Sequence, residues 1–295
     1  NPALQAPGSR QAEGLLHANQ VRTLALDIRS RSPIAELVLR SPDNLVVPTT
    51  AAITLETEPP AGPATTAAPP PPPPPAFAAR QPGTLRVLLA GAGSSHDFPR
   101  HFLGTDAATL RAAGGMDVVG TGDAELAARL LGEADVLVLS ANAPEFGREP
   151  FQRALNAFAE AGKGIVPLHA GVWHNWPRET GYNTRFVGGG ARGHGAGMVT
   201  TRLAEATHPV LAGLPPTFAF WDESYHVELE PGAQVTVLAT NDPDSKTRKP
   251  HPSVWIVAHP KARIVCLSHG HDERAHDHPA YRRLLANAVN WAGGR

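Results

Sequence analysis

From Leu85 onward the chain alternates two hydrophobic patterns. Short continuous apolar runs are followed by stretches whose apolar residues recur at helical spacing. The run "LRVLLAGAG" begins at Leu85 and ends in glycine, as expected of a strand buried on both faces. A helical pattern over Pro99–Ala113 follows, then "MDVVGT", a helix over Asp123–Leu131, "DVLVLS", a helix over Pro150–Ala161, and "GIVPLHAG". Further strand-like runs are Met198–Leu203, Val235–Thr240, Val254–Ala258 and Arg263–Ser268, and a helix over Ala280–Trp291 closes the chain. This order predicts an α/β fold built on a doubly wound, mostly parallel sheet.

The first part of the chain reads differently. Leu24, Leu26 and Ile28 alternate with other residues, and Ile34–Arg40, Leu45–Val47 and Ala52–Thr57 are strand-like, with a turn at Ser41–Asn44. No Trp, Tyr or Phe lies among them, so this short N-terminal β segment has little core of its own. It is expected to dock on the main domain or on another subunit, or to belong to a truncated upstream domain, with a dangling tail as the alternative. A proline-rich stretch with seven consecutive prolines, Pro69–Pro75, separates the two parts. In polyproline II geometry that run spans roughly 20 Å as a semi-rigid spacer. The expected organisation is therefore a β-rich segment over 1–58, a linker over 59–82 and an α/β domain over 83–295.

Composition narrows the class of protein. The formal net charge is −1, which gives no electrostatic reason to expect nucleic acid or a charged membrane surface as partner. No apolar run reaches the length of a membrane span. The single cysteine, Cys266, permits no internal disulfide and sits inside the apolar run before Ser268, as a core residue would. Thirty prolines in 295 residues, with the spacer, suit a secreted or surface protein. The chain is expected to be exported to periplasm, cell surface or exterior.

In an open parallel sheet, ligands bind beyond the carboxyl ends of the strands. After the first strand Gly91 and Gly93 permit a tight turn that sets Ser94, Ser95, His96 and Asp97 at the sheet edge. Helix capping is the alternative role for Ser95 and Asp97. The loop lacks a full dinucleotide fingerprint, so a nicotinamide or flavin site is not expected. His169 stands at the strand-to-helix turn where related architectures carry Ser or Cys. Acyl-transfer chemistry therefore lacks its nucleophile. Asp222 and Glu223 follow an aromatic run, and His269 and His271 follow the last strand. If extended geometry persists there, both rings point to one side. His96, His169, His269 and His271 would then share one sheet edge. Three readings stay open: a metal site on His169, His269 and His271, acid–base chemistry by imidazole and carboxylate, or histidines that only bond loop carbonyls. The last is assigned to His208, His259, His276 and His278, and His101 is placed on a helix face.

Several motifs in fixed order carry a resemblance. They are "GSSHDF" (Gly93–Phe98), "GIVPLHAG" (Gly164–Gly171), a glycine pair followed by His194, and "HPVLAGLP" (His208–Pro215). After them come "DESY" (Asp222–Tyr225), "PSVW" (Pro252–Trp255), "SHGHD" (Ser268–Asp272) and "NAVNWA" (Asn287–Ala292). The series resembles the ThuA-like (trehalose utilisation) family over about residues 85–294. The resemblance implies a class I glutamine-amidotransferase-like fold without the glutaminase cysteine. It also implies a role in using trehalose and related disaccharides, alongside oxidoreductases that make 3-keto sugars. The motif positions carried over are His96, Asp97, His169, His194, Asp222, Glu223, Tyr225, His269 and His271. Trp173 and Trp176, in the loop after His169, are candidates to stack on sugar rings or else to close the core.

The expectation is thus a sugar-active protein in which His169, His96, His271, Asp222 and Glu223 do the chemistry. Ser95, Asp97, Trp173, Trp176, His194 and Tyr225 would contact the sugar. The cofactor is left open, with a divalent metal such as zinc as one option. The alternatives are a non-catalytic carbohydrate-binding module, or a structural subunit that self-associates through residues 21–57 and the proline arm.

Overall fold

The computed structural model describes residues 9–12, 21–24, 73–176, 180–205 and 207–295. The chain divides into two compact units, Asn1–Pro69 and Pro70–Arg295. In the first, β1 (Ser9–Ala12) pairs antiparallel with β2 (Val21–Leu24), Ser9 opposite Leu24. β1 carries no apolar alternation, and its sequence gave no strand signal. The strands expected at Ile34–Arg40, Leu45–Val47 and Ala52–Thr57, and the alternation through Leu26 and Ile28, lie outside the described residues.

The second unit holds a nine-stranded sheet. Its parallel half comprises β3 (Leu85–Ala90), β4 (Met116–Thr121), β5 (Val136–Leu139), β6 (Gly164–Pro167) and β11 (Arg263–Leu267). The other half comprises β7 (Gly189–Leu203), β8 (Thr217–Leu229), β9 (Val235–Asn241) and β10 (His251–Val257). The order is β4-β3-β5-β6-β11-β10-β9-β7-β8. Neighbours from β4 to β11 are parallel, and every pair from β11 to β8 is antiparallel. The expectation of a mostly parallel sheet is therefore corrected to a mixed one, with four parallel and four antiparallel pairings among the described strands.

The cause lies in β7 and β8. β7 opens on "GGARGHGAG", which has no apolar alternation, so only its end at Met198–Leu203 carries a strand signal. In β8, Phe218, Phe220, Asp222 and Ser224 all point inward and are buried. Two of those four are polar, which hid the period of two that marks a half-buried strand.

The parallel strands read clearly for the opposite reason. Val87 and Leu89 pack into the core shared with α1 (Ala107–Ala113) and α5 (Pro279–Ala292). Leu88 and Ala90 pack into the core on the other face, with α2 (Ala124–Leu130) and α3 (Phe151–Glu160). Apolar side chains on both faces make a continuous apolar run. Helix starts follow local chemistry: Asp123 accepts hydrogen bonds from the amides of Glu125 and Leu126 at 2.8 and 3.0 Å, capping α2. The helix expected from Pro99 begins instead as a wide turn over His101–Asp106, with the Leu103 and Thr105 amides donating five residues back. That turn rotates Asp106 into the interior.

One ion-pair network ties Arg80 to the parallel half of the sheet. Asp135 accepts from Arg80 Nη1 at 2.9 Å, Lys163 Nζ at 2.9 Å and the Arg86 amide at 3.1 Å. Burial alone would raise this carboxyl, but these partners together hold it down at about 2. A depressed folded value means stability that is present above the unfolded value and lost as pH falls through the folded one. Asp135→Asn is expected to cost about 1–2 kcal/mol at neutral pH, after discounting for the half-exposed arginine. Urea denaturation should show that gap closing between about pH 4 and pH 2.

Candidate functional site

Four side chains from four places in the sequence meet at the carboxyl ends of the parallel strands. His96 comes from the loop after β3, His169 from the turn after β6, Glu223 from β8 and His271 from the loop after β11. One ligand-type atom from each lies within 4.8 Å of all the others.

His169 forms the floor. Its φ is +42°, a left-handed conformation that is strained for a residue with a side chain. The sharp turn expected there is present. Gly171 makes it fit, because a Cβ at that position would lie 2.1 Å from the Leu139 carbonyl oxygen. The ring is fully buried and stacks on Tyr225 at 4.3 Å between centroids. Nδ1 lies 2.8 Å from the Ser268 carbonyl oxygen, so it must carry the proton and donate it. Burial pushes the imidazolium pKa down and keeps the ring neutral. The lone pair is therefore on Nε2, which sits 3.0 Å from His96 Nε2 and 3.6 Å from Glu223 Oε2.

His96 is held from behind. Its Nδ1 lies 2.6 Å from Ser95 Oγ, and Asn142 Nδ2 donates to that same oxygen at 2.7 Å. Phe98 and Phe102 meet the ring edge to face. Glu223 faces inward with one oxygen and outward with the other. Oε2 is 3.2 Å from His271 Nδ1 and 3.8 Å from His96 Nε2, while Oε1 is 3.1 Å from His194 Nδ1. Burial would raise the Glu223 carboxyl, but the surrounding imidazoles of His169, His271 and His96 outweigh it and hold it well below the usual carboxylate range. Glu223 in turn raises the pKa of His271. Exposure rises outward, from 0% for His169 and 4% for His96 to 13% for Glu223, 27% for His271 and 39% for His194. The cluster is thus a floor with an open rim.

Asp222, expected among the catalytic groups, is turned away from the rim and fully buried. Its oxygens accept from the amides of Glu223, Gly270 and His271 and from His269 Nδ1, at 2.9–3.2 Å. It clasps the loop after β11 to β8. His269 stays with it. Nδ1 meets Asp222 and Nε2 lies 3.1 Å from Thr201 Oγ1, while the ring packs on Phe218 and Phe220. Gly270, at φ +123°, breaks the extended geometry between the two histidines. The expected metal set of His169, His269 and His271 is therefore corrected: both nitrogens of His269 are engaged elsewhere.

The model of the family described as ThuA, trehalose utilisation, matches residues 89–292, which include every member of this cluster. The chain belongs to the ThuA family. No curated protein matches it. A solved structure of a ThuA-like protein from Parabacteroides merdae is 19% identical, with a TM-score of 0.63, over 72% of this chain and 90% of that one. A ThuA-like protein from Bacteroides uniformis is 20% identical, with a TM-score of 0.58, over 73% of this chain and 94% of that one. At these identities they establish a shared fold.

In this ThuA-family chain the remaining candidates separate by position. Trp173 stands edge-on to Tyr225 at 5.2 Å and to His194 at 6.1 Å, beside the rim. Trp176 is buried, donates to the Ala143 carbonyl and packs on Tyr182, so it closes the core. Asp97 accepts from the Arg100 amide at 3.1 Å and caps the turn that follows. Ser95 supports His96. Cys266 is buried in the core, where burial pushes its thiol pKa well up.

Two features were missed. Asn142 follows β5, where the strand-end rule would have found it. His276 is not a loop histidine. With Asp106 and Tyr281 it forms a fully buried polar group behind Gly270. Its Nε2 donates to the Gly270 carbonyl at 3.0 Å, its Nδ1 lies 2.7 Å from Asp106 Oδ1, and the Tyr281 hydroxyl donates to Asp106 Oδ2 at 3.0 Å. His101, expected on a helix face, stacks on His276 at 5.2 Å. By contrast His208, His259 and His278 each accept a backbone amide just beyond a following proline, as local caps.

Proposed function

We propose that this protein acts on a carbohydrate of the trehalose-type disaccharide class, bound over His96, His169, Glu223 and His271. Family membership supports the sugar. The observation that carries the reaction is the fixed lone pair of His169 Nε2, buried at the floor and set 3.6 Å from an ionised Glu223. Trp173 and the rim histidines provide an aromatic wall of the kind sugar rings pack against.

The chemistry favoured is proton transfer at a sugar hydroxyl or at a carbon beside a carbonyl. Glycoside hydrolysis by a carboxylate pair needs two free carboxyl groups flanking the bond. Here Glu223 is ringed by imidazoles beside the rim, while Asp222 accepts four hydrogen bonds in the interior and does not face the same space. Within this reading, His169 Nε2 is the electron-pair donor of the site. His194, the most exposed of the group, stands on the outer oxygen of Glu223, which fixes the charge between the two rings. We also propose export, on the proline-rich spacer. No helix among the described residues is long and apolar enough to cross a membrane.

The test is incubation with trehalose, related disaccharides and their 3-keto forms, followed by NMR. Wild type should consume at least one of them. His169→Asn, chosen because asparagine tolerates the left-handed backbone, should melt within a few degrees of wild type and form no product. Saturable binding without any product would transfer the reading to a non-catalytic module, and turnover by His169→Asn would remove His169 from the chemistry.

A further inference from the structure

We infer that His96, His169, His271 and Glu223 form a binding site for one divalent transition-metal ion of the zinc class. The inference rests on the reading that this cluster is the working site, and it names the group that the site's electron pairs hold.

Geometry is the first argument. Four ligands about 2.0–2.1 Å from a tetrahedral centre lie roughly 3.3 Å from one another. The separations here are 3.0 Å for His169 and His96, 3.2 Å for His271 and Glu223, 3.6 Å for His169 and Glu223, and 3.8 Å for His96 and Glu223. These four of the six edges bracket that length, and the two from His271 to His96 and His169 lie within 4.8 Å.

The second argument concerns where the protons are. His169 spends its Nδ1 proton on Ser268, leaving a bare lone pair on Nε2. His96 Nδ1 has its own partner in Ser95, which Asn142 fixes in turn. A carbonyl or hydroxyl behind each ring is how metal-binding imidazoles are oriented. The two Nε2 atoms then face each other at 3.0 Å beside a carboxylate oxygen. At that distance a proton on His96 Nε2, or a cation, must lie between the two nitrogens. His271 Nδ1 is buried and has no aligned hydrogen-bond partner, although Glu223 Oε2 is 3.2 Å away. That nitrogen is free of any backbone or hydroxyl partner that would compete with a cation.

The third argument is chemical class. Three neutral imidazoles and one carboxylate bring a charge of −1, which a divalent ion turns to +1. Nitrogen-rich donors suit zinc, cobalt or iron(II) over the oxygen-preferring calcium and magnesium. Four protein ligands fill a tetrahedral shell, so a water or substrate oxygen would join only as a fifth donor, entering from the exposed side at His271 and His194. His194 itself sits on the far oxygen of Glu223, which would fix the carboxylate to one-oxygen ligation.

The experiment is elemental analysis of the purified full chain, then zinc titration by calorimetry after stripping with a chelator. Wild type should carry about one equivalent per chain and rebind it. His271→Ala and Glu223→Gln should each weaken zinc by ~100-fold or more. His226→Ala, outside the cluster, should not. Circular dichroism confirms that each variant is folded, and the partly exposed His271 makes at least one variant safe in this respect. Stripped wild type that fails to take up zinc, or full metal retained by both cluster variants, overturns the site. Metal bound without sugar turnover upholds the site and sinks the sugar reading; sugar turnover by stripped protein that also fails to rebind zinc does the reverse.

Discussion

Glu223→Gln is expected to abolish turnover, by about 10³-fold or more, while leaving the fold intact. The substitution keeps the shape of the side chain and removes the single charge at the centre of the cluster. Every imidazole there is set against that charge: His169, His271 and His96 through Oε2, His194 through Oε1. Without it no anion remains beside the facing Nε2 atoms of His169 and His96 to hold a proton or a cation there. Glu223 is not part of either apolar core, so a melting temperature near that of wild type is expected. A variant that keeps most of its activity would show that the carboxylate is a bystander.

Asp222→Ala, one residue away, is expected to do the opposite: a large loss of stability, about 3–5 kcal/mol. Asp222 is fully buried and accepts from three backbone amides and one imidazole. Removing it strands four donors in the interior and frees the loop that carries His271. The denaturation midpoint should fall well below that of Glu223→Gln. A loss under about 1 kcal/mol would mean that water replaces the carboxylate, and the clasp would be discarded. The contrast between neighbours is the useful part, because successive residues of a strand face opposite ways. Glu223 faces the rim, and Asp222 faces the support.

That alternation explains which parts of the site were legible in the sequence. Reading the residues just after each strand found His96, His169 and His271, and the aromatic run before Asp222 pointed to Glu223. These four do converge. His269 did not follow, because the turn at Gly270 sends it under the sheet, and no spacing rule anticipates a positive φ at one glycine. Asp222 was grouped with Glu223 because a sequence does not say which way a residue faces unless the strand is recognised. β8 was not recognised, since Asp222 and Ser224 occupy inward positions. The parallel half of the sheet was clear because both faces are apolar. The antiparallel half was not, because β7 begins in glycines and β8 buries polar side chains. The buried group of Asp106, His276 and Tyr281 was invisible for a related reason: its members are 170 and 175 residues apart from Asp106 along the chain.

The central claim is that a sugar binds over this cluster. Imidazole carbon–proton resonances of labelled protein, assigned with single-histidine variants, test it most directly when trehalose or its 3-keto form is titrated in. The account predicts saturable shifts for His96, His169, His194 and His271, with His226, His251 and His259 unmoved. Saturable shifts confined to the second group, or no shift in the first at any sugar concentration, would contradict it.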